Sequence, residues 1–194
     1  MTKRSKSVAL TILGAAAFTL AGCQEEKVEA QAFPDLQTCK LNADEGSVLT
    51  PADCDAAFAE AQALHVESAP RYESRELCEQ EHGPGGCGSE AEATQGGSGS
   101  IFMPLLTGYL IGNLLSGGGR GMAAAQPLYK TSDGRFTNAS GSSSFSTNNG
   151  RGTMNATQFT RPAATAGKPP MTRAMVASRG GFGKSSTAGR SYGG

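Results

Sequence analysis

The stretch TPADCDAAFAEAQALHVESAPRYESRELCEQEHGPGGC, residues 50–87, decides which fold class to expect. Thr50 can cap a helix with its side-chain oxygen, Pro51 suits the first helical position, where its missing N–H is not needed, and Asp53 favours the positive end of the helix dipole. From Cys54 onward, Ala57, Phe58, Ala61, Leu64 and His65 recur at spacings of three and four, which predicts an amphipathic helix over 51–67 that Pro70 ends. Ser74 caps a second, shorter helix over 75–82, with Leu77, Cys78 and His82 within reach of one face and Gly83-Pro84 as the stop. Together the two helices predict an αα-hairpin.

The unit around this hairpin, residues 33–88, holds few large apolar side chains beyond Leu36, Leu41, Val48, Leu49, Phe58, Leu64, Val66, Tyr72 and Leu77. A core that small is marginal without staples. Four cysteines supply candidates: Cys39, Cys54, Cys78 and Cys87, an even number that reads as a disulfide framework in an exported chain. Of the three pairings, the local one, Cys39 with Cys54 and Cys78 with Cys87, is favoured, and a Cys54–Cys87 bridge across the hairpin competes with it. Each bridge is worth about 3 kcal/mol for loops of this length. A metal reading also stands, because Cys78 and His82 lie four apart on a helix with Cys87 following, although the spacing matches no established zinc pattern. His65 reads as a helix-surface residue.

Export itself is read from the start of the chain. Lys3, Arg4 and Lys6 precede an uncharged, mostly apolar run from Val8 to Ala21, which meets Ala21-Gly22 before Cys23. That is the three-part grammar of a secretory signal over residues 1–22, and the run falls short of the roughly 20 residues a spanning helix needs. Leu20-Ala21-Gly22-Cys23 resembles the lipobox of bacterial lipoproteins, in which the thiol and the new amino group are acylated after cleavage. The expected lipids at Cys23 would anchor the chain to a membrane. Gln24, where an Asp would favour retention at the inner membrane in the enterobacterial scheme, points to the periplasmic face of the outer membrane.

Residues 23–32 read as the lipidated N-terminus and a polar tether, and residues 89–100 as a flexible linker. The apolar run that follows, residues 101–116, contains Pro104 and the small-xxx-small pair Gly108 and Gly112. It is expected to be a short association helix that docks on the hairpin or on a second copy. An interfacial membrane helix and an isolated buried strand are the other readings. Residues 117–194 are rich in Gly, Ser, Thr and Asn with single basic residues, and disorder is the default for such a composition. One short β-hairpin is expected there, Leu128-Tyr129-Lys130 against Arg135-Phe136-Thr137.

Charge divides the chain although its net value is zero. Residues 24–100 hold 16 Asp or Glu against 4 Lys or Arg, and residues 116–194 hold 10 Lys or Arg against a single Asp. The halves should attract each other or separate partners. Arg179-Gly180-Gly181-Phe182-Gly183 looks like an RGG segment of RNA-binding tails, but an exported chain meets no cellular RNA, so nucleic acid is not an expected partner. Lipopolysaccharide phosphate, peptidoglycan or another envelope protein are. The chain carries no GxSxG, HExxH or phosphate-loop motif and only two histidines, so no enzyme activity and no cofactor are expected.

Taken in order, YESRELCEQEHGPGGC, FMPLLTGYLIGNLLSGGG, QPLYKTSDGRFTNASG and RGGFGKSS, behind the lipobox, resemble the YgiB-type family of uncharacterised enterobacterial lipoproteins. The resemblance covers most of residues 20–188 and implies a cell-envelope placement without a mechanism. The expected fold is mainly α: a small disulfide-stapled helical hairpin domain, then a short apolar helix and a largely disordered Gly/Ser-rich basic tail. The expected function is that of a non-enzymatic, membrane-anchored interaction or structural lipoprotein. A redox or metal-handling role for Cys78, His82 and Cys87 is the alternative.

Overall fold

The structure, a computed structural model, describes residues 26–43, 49–94, 96–113 and 124–179. The signal segment, Cys23, Val48, Leu114, Leu115 and most of the RGG-like stretch lie outside the described residues. In chain order the elements are β1 (Lys27–Phe33), α1 (Leu36–Asn42), α2 (Pro51–Ser68), α3 (Arg75–His82), β2 (Cys87–Ser89), α4 (Glu90–Thr94) and β3 (Phe102–Pro104). They continue with β4 (Gly108–Asn113), β5 (Ala124–Lys130), β6 (Phe136–Asn138), β7 (Ser144–Phe145), β8 (Gly150–Asn155), a 3₁₀ turn (Ala156–Phe159) and α5 (Arg173–Ser178).

The fold is mixed α/β, which corrects the mainly α expectation. Six strands form one antiparallel sheet in the order β7-β6-β5-β4-β1-β8, and β2 and β3 pair separately. Both helices of the quoted stretch exist, with the caps their sequence predicts. Thr50 and Asp53 make a reciprocal capping box, and Ser74 accepts from the Leu77 N–H. They do not pack as an αα-hairpin. The small face Cys54, Ala57 and Ala61 lets α2 lie on the sheet against Phe33, Tyr109, Ile111 and Ala125, while α3 packs on β2 and β3.

The apolar segment is likewise no helix. Its residues supply β3 and β4, and in β4 Tyr109 and Ile111 face the helices while Leu110 faces the opposite side with Val28, Ala30, Ala32 and Leu128. A period of two with both faces buried is what a central strand requires. The basic segment, expected to be disordered, contributes β5 to β8. The expected hairpin is present, with Leu128, Tyr129 and Lys130 paired to Asn138, Thr137 and Phe136. Gly134 takes φ +83° in its turn, a conformation that suits glycine. Residues 27–32, read as part of the tether, form most of β1, which lies between β4 and β8 and pairs with both.

Two details show how the sheet tolerates unusual residues. Pro127 precedes the first β5 residue paired with β6, so no bond to β6 is asked of its missing N–H. The Ala125 N–H, beyond the reach of β6, donates instead to the Glu60 carboxylate of α2 at 3.1 Å.

Candidate functional site

The cysteines pair as Cys39–Cys54 and Cys78–Cys87, the local pairing, and all four are buried. The first bridge ties α1 to α2 under the sheet, and the second ties α3 to β2. With the sulfurs of Cys78 and Cys87 bonded to each other, neither is a thiolate ligand beside His82. Among the described residues no group of three or more His, Cys, Asp or Glu is placed to hold a metal.

His82 belongs to a different constellation. Its Nδ1–H donates to the Lys130 carbonyl at 2.8 Å, and its Nε2 lies 2.9 Å from the Tyr72 hydroxyl. Tyr72 also contacts Glu81 Oε2 at 2.5 Å. The hydroxyl carries one hydrogen, which it donates to the Glu81 carboxylate, and the bare Nε2 of His82 lies on the other side of the same oxygen. The line continues through an edge contact of the His82 and Tyr129 rings, centroids 6.2 Å apart, to His65, whose Nδ1 lies 3.2 Å from the Tyr129 hydroxyl. Glu81, Tyr72, Tyr129 and His82 are at most 2 % exposed, and His65 is buried at the helix–sheet boundary, not on the helix surface as its sequence suggests.

Burial sets the electrostatics of this line. Desolvation first, and then the nearby positive charges, hold both histidines well below their ordinary range: His65 at about 4, with Arg71 adding to the effect, and His82 at about 4, with Arg179 adding to it while the hydrogen bond to Lys130 opposes it. Tyr72 and Tyr129 are pushed far up, chiefly by desolvation. The imidazoles are therefore neutral at ordinary pH.

Beside this line, Arg71 organises a second polar cluster. Its Nε donates to Glu90 Oε1 at 2.6 Å, and its two terminal nitrogens reach the carbonyls of Ala69 and Val66 and the Thr165 hydroxyl. That hydrogen bond is the main reason the Glu90 carboxyl sits below its usual range. Orphan carbonyls at the end of α2 are taken up from the basic half of the chain: the Glu67 carbonyl accepts from the N–H groups of Thr165 and Ala166. Arg161 pairs with Glu67, so the oppositely charged halves meet here. Above Arg71 opens a cleft of about 250 Å3, walled by Pro70, Pro162, Pro169 and Met171 and bordered by Lys168 and Arg179.

Tyr72, Glu81, Tyr129 and Arg71 were not singled out as site residues from the sequence. Tyr72 and Tyr129 are 57 positions apart, and no local periodicity signals that they share one interior. Gly108 and Gly112, expected to pair helices, both lie in β4. Gly108 sits at φ +155°, where a Cβ would come 2.8 Å from the Phe33 carbonyl oxygen, and a Cβ on Gly112 would stand 2.7 Å from the Phe159 ring.

A family model described as "Protein of unknown function (DUF1190)" matches residues 27–193, which includes every strand of the sheet and both disulfides. The chain belongs to this family. It is 35 % identical over 188 residues to a UPF0441 protein of Klebsiella pneumoniae, covering 88 % of this chain and 77 % of the relative. A UPF0441 protein of Yersinia pestis is 33 % identical over 202 residues, covering 94 % and 81 %, and one of Erwinia tasmaniensis 34 % over 196 residues, covering 92 % and 79 %. No solved structure matches the chain. The resemblance to uncharacterised enterobacterial proteins thus holds as family membership.

Proposed function

We propose that this protein is a lipid-anchored, non-enzymatic protein of the bacterial cell envelope, acylated at Cys23, with its folded body in the periplasm and its anchor in the outer membrane. The observation that carries the reading is the pair of buried disulfides. Such bonds form and persist in oxidising compartments, and here they sit behind a sequence with the form of a lipoprotein signal. The buried histidines support an interaction or structural role over catalysis, because both rings are buried and three of their four nitrogens are engaged inside the fold.

The partner in this reading is an anionic envelope component, lipopolysaccharide phosphate, peptidoglycan or an envelope protein. It is met by a folded basic surface in which Lys168 and Arg179 border one cleft. The anchor is tested by the intact mass of the membrane-extracted protein. A chain beginning at Cys23 with acyl groups is expected, and Cys23→Ser should abolish both cleavage and acylation. An unacylated native protein would sink the reading. The partner surface is tested by pull-down on lipopolysaccharide and on peptidoglycan at two salt concentrations. Lys168→Gln with Arg179→Gln should weaken capture about 30-fold at low salt, taking about 1 kcal/mol for each cation near an anionic surface.

A further inference from the structure

The anchor at Cys23 and the position of β1 in the sheet together orient the body on the bilayer. We infer that the end of the sheet formed by Glu26, Lys27 and residues 155–157 is the surface that faces the lipid headgroups; the inference rests on the proposed acylation of Cys23. Only three residue steps separate Cys23 from Glu26, a reach of at most about 11 Å for a fully extended chain. Glu26 is fixed to the body, because its carbonyl accepts the Ala156 N–H at 2.8 Å.

The next residue opens β1, which has β4 on one side and β8 on the other. The tether therefore cannot be lengthened by peeling a strand from an edge. Any slack requires breaking the ladders to both neighbours at once, whereas an edge strand could lengthen the tether by leaving only one.

The register states which residues share that end. Lys27 is opposite Asn155, and Gly112 near the end of β4 is opposite Ala124 at the start of β5. The far end holds Phe33 and Gly108, with the Thr131–Arg135 turn beyond it, about 20 Å away for a seven-residue strand. The composition of the two ends fits this orientation. Residues 152–158 carry no charge and include the exposed Thr153 and Thr157, whereas the far turn carries exposed Lys130, Asp133 and Arg135. Beside residues 152–158 the exposed Glu26 and Lys27 carry opposite charges, so this end is near neutral as a whole.

The chain has no tryptophan, so a single introduced one reports its own surroundings. Full-length lipidated protein bearing Thr157→Trp or Arg135→Trp is reconstituted into phosphatidylethanolamine/phosphatidylglycerol vesicles that carry a nitroxide on the headgroup. Thr157→Trp should lose about half its emission, because Glu26, which is tied to the neighbouring Ala156, can lie no farther than about 11 Å from the anchored Cys23. Arg135→Trp should be almost unaffected. Lys27→Trp, at the exposed start of β1 opposite Asn155, is a second near-end reporter should the Thr157 variant fold poorly. Equal quenching at both ends, or stronger quenching of Arg135→Trp, would overturn the orientation. Intact mass on the same preparation separates the two claims. Acylated protein with the wrong quenching pattern defeats the orientation alone, and protein without acyl groups defeats the anchor and the orientation together.

Discussion

The two faces of the six-stranded sheet are closed by different means. One lies under α1 and α2, where Phe33, Phe58 and Tyr109 stack at centroid distances of 5.5 to 5.9 Å and the Cys39–Cys54 bond locks the helices together. Among the described residues no helix covers the other, where Val28, Ala30, Ala32 and Leu110 lie; the 3₁₀ turn lays Phe159 across Gly112, and the Gln126 side chain holds the Thr160 carbonyl. The first face is secured covalently and by aromatic area. On the second, one ring fits over one glycine, with Leu128, Met154 and Phe145 packed around it. A sheet face can therefore be closed without a helix, provided that the strand beneath gives up its side chain.

This contrast can be broken most directly at the ring. Phe159→Ala removes the ring that lies across Gly112 on the second face, beside Met154 and Phe145, and should cost about 3–5 kcal/mol in chemical denaturation. Gly112→Ala should also destabilise, by roughly 1–3 kcal/mol from overpacking. Combining Gly112→Ala with Phe159→Leu should recover part of that loss, and a strictly additive double variant would mean that the two residues do not share a site.

The helix-covered side has its own vulnerability, which is acid. Both His65 and His82 have folded values near 4, below the unfolded value of 6.5, so between those limits the unfolded chain binds more protons. Their contribution is fully present above pH 6.5 and is lost as pH falls toward 4, about 3 kcal/mol for each histidine. His82→Gln should flatten the pH dependence in that window by about one proton, read as the slope of unfolding free energy against pH. An unchanged slope would mean that His82 is not buried in its neutral form.

Removing the staple, Cys39→Ala with Cys54→Ala, should cost about 3 kcal/mol, with the loss concentrated in the packing of α1. Hydrogen exchange should show α1 opening while β1 and β8 stay protected. Equal deprotection of both faces would erase the distinction between them. The smallest effect is at the cap: Thr50→Ala removes the capping box of α2 and should cost about 1 kcal/mol, measured as a shift of the thermal midpoint.

The caps, stops and helix limits of residues 50–83 were legible because each depends on residues within one turn of it. The 128–137 hairpin was legible for the same reason, since Ser132-Asp133-Gly134 is a local turn signal. The histidine–tyrosine line was not, because burial joined Tyr72, His82 and Tyr129 only after the sheet closed. The same holds for Gly112: the small residue was visible, but Phe159, 47 positions later, defines its purpose.

By itself, then, the sequence determined the two helices, read over residues 51–67 and 75–82, and the even set of four cysteines. Those features are written in neighbouring residues, where caps, breakers and spacing act without the rest of the chain. Tertiary structure alone decided that residues 27–33 and 150–155, more than 110 positions apart, lie side by side in one sheet. The reason is physical. A strand such as GRGTMN has almost no apolar signature of its own, and its place comes from backbone hydrogen bonds to a partner strand distant in the chain.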